Sequence, residues 1–262
     1  MSQKDTLGSV TVHRYMDNKH NAMLATGTFT ALIAAFSEHA NRWEAPLDGL
    51  TYTMMRQGLS GMVLHLSFRP NDENIGMTVN FKQPPINVFL SGDASESWVT
   101  GRAFVEGVKT TESSRLFMQT HRRKSGATQS MIEITGLDLL EVFEQYFKQS
   151  VQTPARFFEL DKDQFAMILG LPNADRSWIE NFTPDQKLFG IWKKTLEPLD
   201  QREFKFHCGC TPEKMVKAVH SIFGEDPDAL FKGEDEVEVS CPRCGTRWTL
   251  TESQFNEFEQ ED

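Results

Sequence analysis

The chain has 262 residues, 39% hydrophobic and 24% charged, with a formal net charge of −10. This length suits one substantial hydrophobic core with a small satellite domain, and the longest apolar runs, such as 31–36, are too short to span a bilayer. The first residues, Met1–Gly8, contain no apolar stretch of the kind found in signal peptides, so we expect a cytoplasmic protein with reduced thiols and no membrane partner.

Residues 1–172 predict a mixed α/β domain with a central sheet. Apolar residues recur at helical spacing over 29–40, 55–66 and 137–149. Strands are predicted at 77–81, 86–90 and 102–106, in a hairpin over 115–134 that turns near 124–126, and finally at 156–160 and 165–169.

Three methionines, Met54, Met55 and Met62, fall within nine residues of one predicted helix. Methionine suits adaptable apolar binding surfaces, but it also fills cores. The helical spacing of these residues with Leu59 and Leu66 favours a core position. Gly58 and Gly61 in the same stretch permit close helix packing and weaken the helix prediction.

Residues 173–202 predict a linker of one or two helices. The sequence Thr183-Pro184-Asp185-Gln186 is typical of a helix N-terminus. A segment of this size cannot bury its own aromatic side chains, so it must pack on a neighbour. The segment is therefore a candidate for conditionally exposed apolar surface, through Trp178, Phe182, Phe189 and Trp192.

All four cysteines lie in the remaining segment, 203–262, as Cys208-Gly209-Cys210 and Cys241-Pro242-Arg243-Cys244. Two close pairs separated by about thirty residues suit one tetrahedral zinc ion, and Gly245 permits the tight turn of a zinc knuckle. Predicted strands at 236–240 and 246–250 place the second pair at a hairpin tip. Helices are predicted from Thr211, at 228–231 and from the capping box Thr251–Gln254.

Other interpretations of the cysteines are weaker. Structural disulfides would require secretion, and a thioredoxin-like Cys-x-x-Cys begins a long helix instead of lying between two strands. His207 adjoins Cys208 and could substitute as a ligand, although adjacency without a role is the simpler interpretation.

The charge distribution argues against nucleic acid as a partner. Residues 203–262 contain six Lys or Arg and fourteen Asp or Glu, a net charge of −8, whereas phosphate binding requires basic surfaces. The basic run His121–Lys124 is interpreted as a solvated hairpin tip. Phosphate-binding loops and the common hydrolase motifs are absent from the sequence, so we expect a binding protein and no enzyme.

The cysteine pattern resembles the 33 kDa chaperonin family of redox-regulated heat-shock holdases, whose signature is Cys-x-Cys, a spacer of about thirty residues and Cys-x-x-Cys. Further resemblance extends over His13–Tyr15, the predicted central strands between Thr78 and Val105, and Leu139–Arg156.

The resemblance implies an α+β protein with three parts: a substrate-binding and dimerisation domain at 1–172, a helical linker at 173–202 and a zinc-binding redox-switch domain at 203–262. It implies an ATP-independent chaperone for unfolding client proteins, which bind through Trp178, Phe189 and Trp192. One zinc ion per chain would be held by Cys208, Cys210, Cys241 and Cys244.

In such a family member, oxidation would form Cys208–Cys210 and Cys241–Cys244 disulfides, release zinc and favour a homodimer. The stretch between Pro172 and Cys208 is shorter than the family's usual linker. An alternative is therefore a constitutive zinc-stabilised protein-binding module without redox switching.

Overall fold

The computed structural model describes residues 8–45, 47–109, 111–122, 126–224 and 226–258. The chain separates into two compact units, Met1–His207 and Cys208–Asp262. Among the described residues, no helix combines the length and apolarity needed to cross a bilayer. The predicted turn at 124–126 and the end of the basic run at Lys124 lie mostly outside the described residues.

The described residues of the first unit form ten strands and five α-helices. The strands are β1 (Ser9–Asp17), β2 (Ala22–Thr28), β3 (Glu73–Phe81), β4 (Ile86–Asp93), β5 (Trp98–Phe104), β6 (Arg115–Arg122), β7 (Gly126–Glu133), β8 (Ala155–Asp161), β9 (Gln164–Gly170) and β10 (Glu197–Phe206). The helices are α1 (Thr30–Arg42), α2 (Gly49–Ser67), α3 (Leu139–Tyr146), α4 (Arg176–Glu180) and α5 (Gln186–Lys193), and a π-helical turn (Phe147–Val151) continues α3.

One ten-stranded sheet organises this unit, in the order β7-β6-β3-β4-β5-β10-β1-β2-β9-β8. The helices α1, α2 and α3 pack on one face, in the larger core. Strand β9 is buried on both faces of the sheet. Phe165 and Met167 belong to the larger core. Ala166 and Ile168 belong to a second cluster, which includes residues from α4 and α5. Successive strand residues point to opposite faces, so a continuously apolar strand is buried on both.

The glycines and methionines of α2 lie in the larger core. Met54, Met55 and Met62 are fully buried, which confirms the core interpretation. A methyl group at Gly61 would overlap the ring of Phe143 in α3, so this glycine lets the two helices approach closely.

Strand β10 was not predicted. Residues 156–160 and 165–169 were expected to be the last strands of the unit, and 173–202 was expected to be a linker of one or two helices with no strand. Instead, the helices end at Lys193, and Glu197–Phe206 pairs antiparallel with β1 and parallel with β5. Only Phe204 of this strand is fully buried, so its sequence lacks the apolar alternation by which strands are recognised.

A partly buried arginine holds β10 in the sheet. The guanidinium of Arg202 donates to the carbonyl oxygens of Leu66, Ser67 and Arg69 at 3.0–3.1 Å and to that of Ala94 at 2.9 Å. Three of these carbonyls lie at the C-terminus of α2, where a positive charge is favoured by the helix dipole. The predicted boundaries 1–172, 173–202 and 203–262 remain predictions, whereas the compact units divide after His207.

An ion cluster joins α2 to the β8–β9 hairpin. Arg56 pairs with Glu159 and, at 2.7 Å, with Asp163, whose side chain is only 5% exposed.

We expect Arg56→Ala to lower the free energy of unfolding by about 3 kcal/mol, because it leaves a buried carboxylate without a partner. Denaturant unfolding measures the change. Arg42→Ala, which removes an exposed pair with Glu38, is the control and should cost less than about 0.5 kcal/mol.

The second unit is small, and the part of it that the structure describes contains three helices and a hairpin. Its elements are α6 (Pro212–Phe223), α7 (Pro227–Phe231), β11 (Glu236–Ser240), β12 (Arg247–Thr251) and α8 (Glu252–Phe258). The hairpin and the helices agree with the sequence-based predictions. The capping box at the start of α8 is confirmed, because Gln254 N donates to Thr251 Oγ1 at 3.3 Å and Thr251 N donates to Gln254 Oε1 at 3.1 Å.

Candidate metal centre and linker surface

Two tight turns bring the four cysteines together in the second unit. Gly209 lies between the first pair with φ +64°, and Gly245 follows the second pair with φ +83°. Gly245 N donates to Cys241 O, and Cys241 N donates to Thr246 O, each at 2.8 Å, which closes the turn at the hairpin tip. These left-handed positions favour glycine, so the backbone itself presents each pair of sulfurs.

The sulfur geometry fits a tetrahedral metal site. All four Sγ atoms lie within 4.8 Å of one another, and the Cys208–Cys241 and Cys210–Cys244 separations are both 3.7 Å. A tetrahedron with Zn–S bonds of about 2.3 Å has S–S edges of about 3.8 Å, which the observed separations match. Four thiolates in this arrangement suit zinc.

The cysteines also form part of the unit's core. Cys241 and Cys244 are buried, and Cys208 and Cys210 are partly buried. They pack with a short set of apolar side chains: Met215, Val216, Val219, Phe231, Leu250 and Phe255. So small a core gives little stability alone, so a bound metal would contribute directly to the fold.

Hydrogen bonds between the cysteines shift the pKa values of their thiols in opposite directions. Hydrogen bonds from Cys208 foremost, and then from Cys241, lower the pKa of Cys244. Hydrogen bonding with Cys241 and Cys244 raises the pKa of Cys208, and burial foremost raises the pKa of Cys210 to about 11. One thiolate is therefore stabilised by neighbouring thiols, and a divalent cation would replace their protons.

The aromatic residues predicted in the linker lie on the second face of the sheet in the first unit. Phe189 is buried, and Trp178 and Trp192 are partly buried. They share a cluster with Leu24, Phe158 and Ile168 of the sheet: the Phe158–Phe189 ring centroids are 6.0 Å apart and those of Trp178 and Trp192 are 5.3 Å apart. The expectation that this segment must pack on a neighbour is met.

Sequence reasoning missed the polar contacts beneath these aromatic residues. Asp17 Oδ2 accepts a hydrogen bond from Trp192 Nε1 at 2.9 Å and lies 2.7 Å from His20 Nδ1. The His20 ring stacks on Trp178 with centroids 3.9 Å apart and planes inclined by 2°. Only the tertiary structure shows these partners of His20.

The basic run at the β6–β7 hairpin has a structural partner where it is described. Arg122 Nε pairs at 2.6 Å with Glu73, whose side chain is fully buried, and Glu73 also pairs with Arg69. Arg122 therefore neutralises a buried carboxylate.

Comparison with known proteins gives a consistent result. The family model described as Hsp33 protein matches residues 159–251. The 33 kDa chaperonin of Photobacterium profundum is 27% identical over 48% of this chain and 51% of its own length. That of Enterobacter sp. is 22% identical over 63% of this chain and 68% of its own length. The chain spans about half the length of the first of these relatives.

A solved structure extends the comparison over the whole fold. The crystal structure of the 33 kDa chaperonin (heat shock protein 33 homologue) from Thermotoga maritima matches with a TM-score of 0.72 at 18% identity, and covers 97% of this chain and 99% of its own. The predicted α+β fold class is confirmed, and so is the resemblance predicted from the cysteine motif.

Proposed function

Because this chain resembles the Hsp33 family, we propose that it is an ATP-independent holdase that is switched on when its four-cysteine zinc centre is oxidised. The observation that carries the proposal is the set of four sulfurs within 4.8 Å of one another in a unit with a very small core. Cys208, Cys210, Cys241 and Cys244 would hold one zinc ion, which crosslinks the two turns and keeps the sulfurs as thiolates.

Oxidation would remove the sulfur ligands. Each disulfide forms when two thiolates lose two electrons, and the oxidant, a peroxide of the form HOOH, takes up those electrons and two protons to become two waters. The family resemblance supports Cys208–Cys210 and Cys241–Cys244 as the pairs. Disulfide sulfurs no longer bind the metal as thiolates do, so the second unit would lose most of its stability.

The linker helices would then supply the client-binding surface. Trp178, Phe189 and Trp192 cover an apolar face of the sheet, and release of α4 and α5 would expose both the aromatic residues and that face. Such a surface binds unfolding proteins by burying their apolar side chains. The same proposal includes a homodimer in the activated state, a cytoplasmic location and no enzymatic activity.

A pair of light-scattering assays on a thermally unfolding client tests the function. Reduced, zinc-loaded protein should leave aggregation nearly unchanged, and protein treated with peroxide and then freed of oxidant should suppress it. Reduction with zinc added back should reverse the effect. Equal suppression by both forms would favour the alternative, a constitutive zinc-stabilised binding module.

Substitution of one ligand tests the metal site separately. We expect Cys241→Ser to lower zinc affinity by at least about tenfold, because a hydroxyl is a much poorer zinc ligand than a thiolate. Competition with a chromogenic chelator measures affinity, and hydrogen exchange should show that the β3–β4 core of the first unit is unchanged. Zinc retention equal to the parent protein would rule out the four-thiolate site.

A further inference from the structure

One carboxylate at the β1–β2 turn contacts α5 directly and is linked to α4 through His20. Asp17 ends β1, and its side chain is only 5% exposed. Both of its oxygens are used, and they have different partners. Oδ1 accepts from the backbone N–H groups of Lys19 and His20 at 3.0 and 3.2 Å, whereas Oδ2 lies near the side chains of His20 and Trp192.

The two oxygens of Asp17 therefore have separate roles: Oδ1 forms the turn, and Oδ2 contacts the linker. An Asx turn needs only the Oδ1 contacts to the backbone. Oδ2 accepts from the indole N–H of Trp192 in α5, and it orients the His20 ring that stacks on Trp178, two residues into α4. Each linker helix therefore depends on the same oxygen atom for one of its aromatic contacts.

The helices need such a contact because they are short. Helix α4 has five residues and α5 has eight, and isolated helices of that length are unstable in water. Their conformation therefore depends on docking to the sheet. Other polar contacts join the linker to the sheet, such as Asp175 N to His20 O at 3.0 Å and Gln186 Nε2 to Asp161 Oδ2 at 3.4 Å. The Oδ2 contact of Asp17 differs from these because it involves a buried carboxylate, which is costly to leave without donors.

The same contacts keep the Asp17 carboxylate ionised. Burial opposes ionisation, but the hydrogen bonds from His20 and Trp192 outweigh it and lower the pKa of Asp17. An ionised carboxylate only accepts, so His20 Nδ1 carries the proton in this pair. Ionisable residues near this position include Lys19, Lys193, whose ammonium lies 5.0 Å from the Tyr15 ring centroid, and Glu197, which accepts from Asn18. Asp175 is also near, since its backbone N–H donates to His20 O.

We propose that Asp17 is the positioning residue of the linker: its Oδ2 atom, through Trp192 and His20, holds α4 and α5 on the sheet and sets how readily their apolar surface is released. The proposal rests on the function proposed above, because release matters only if that surface binds clients. Strand β10 begins four residues after Lys193, pairs along β1 up to Met16 and ends two residues before Cys208. The linker helices and the first metal ligand are thus joined by one strand beside the strand that carries Asp17.

Asp17→Asn is the sharpest test, because asparagine keeps an oxygen for the turn and replaces Oδ2 with an NH₂ group that cannot accept from Trp192. Trp192→Phe and His20→Phe remove the two donors and keep aromatic rings in place. Glu38→Gln, at an exposed carboxylate on α1, is the matched control. All proteins are compared reduced and zinc-loaded at neutral pH by hydrogen exchange resolved to segments, by zinc content and by binding of a hydrophobic dye.

We expect Asp17→Asn to accelerate exchange of the α4 and α5 amides at least about tenfold, as loss of a hydrogen bond to a charged group does. Exchange in β3, β4 and α2, and zinc content, should match the parent protein, and Glu38→Gln should match it throughout. Trp192→Phe should give a similar acceleration, and the double variant should add little to either single one. The peroxide dose for half-maximal client protection should fall in both single variants.

Two results would overturn the assignment: unchanged exchange in α4 and α5, or equal acceleration across the whole first unit, which would make Asp17 an ordinary stabilising residue. Failure of the proposed function is distinguishable. If oxidised parent protein protects no client while Asp17→Asn still releases α4 and α5, the positioning role stands and the holdase proposal is wrong.

Discussion

Removal of zinc from the reduced protein is expected to unfold the second unit and leave the first unit folded. Structural zinc contributes on the order of 10–16 kcal/mol to modules of this kind, far more than the apolar contacts around Met215, Phe231 and Leu250 can replace. Hydrogen exchange before and after chelation measures the effect. Amides of α6 and of the β11–β12 hairpin should lose their protection, and those of α2 and β4 should keep it.

Addition of metal ions to the chelated samples provides the control. Adding zinc back should restore protection, whereas magnesium, which prefers oxygen ligands, should not. A second unit that keeps its protection after complete chelation would show that the metal is not structural, and the proposed switch would lose its physical basis.

Acid is expected to destabilise the first unit through a single buried histidine. His65 in α2 is 2% exposed and lies among the rings of Phe143, Tyr146 and Phe147, 5.2 to 6.4 Å away. Burial foremost, with repulsion from Arg69 second, lowers its pKa from 6.5 to about 3. Its Nδ1 has no hydrogen-bond partner among the described residues, so the folded protein holds the neutral ring.

The sign of the effect follows from the protons bound in each state. Between pH 6.5 and about 3 the unfolded chain protonates His65 and the folded chain does not. Stability is therefore complete above pH 6.5 and falls as the pH decreases through this window, by roughly 5 kcal/mol in total at about 1.4 kcal/mol per unit.

Denaturant unfolding of His65→Leu against pH measures this contribution. The variant should lose less stability than the parent on going from pH 7 to pH 4, by roughly 3 kcal/mol, and His13→Leu, at an exposed position, should behave as the parent does. Parallel curves for His65→Leu and the parent protein would contradict a neutral buried histidine.

The clustering of the four cysteines was predictable because its signal is local. Each cysteine pair lies in a single turn, and the glycines at 209 and 245 have the positive φ angles that such turns require. The strand hairpin and the helix starts at Thr211 and Thr251 were predictable for the same reason: their hydrogen bonds join residues close in sequence.

The features that sequence reasoning missed depend on distant partners. Strand β10 is largely exposed, and its pairing with β1 joins residues nearly two hundred positions apart. The hydrogen bond between Asp17 and Trp192 spans 175 positions, and nothing near Asp17 in the sequence distinguishes it from an ordinary turn residue. The sequence around Arg202 does not indicate its four carbonyl partners, because they lie more than one hundred positions away.

We propose that oxidation of the cysteines activates client binding by releasing the metal, and one titration measures both events. Peroxide is added stepwise to zinc-loaded protein, and released zinc and protection of an unfolding client are measured in the same samples. We expect zinc release and client protection to rise together, up to one zinc ion per chain. At the plateau, peptide mapping should find Cys208–Cys210 and Cys241–Cys244 disulfides. Complete zinc release with no gain in client protection would contradict this proposal.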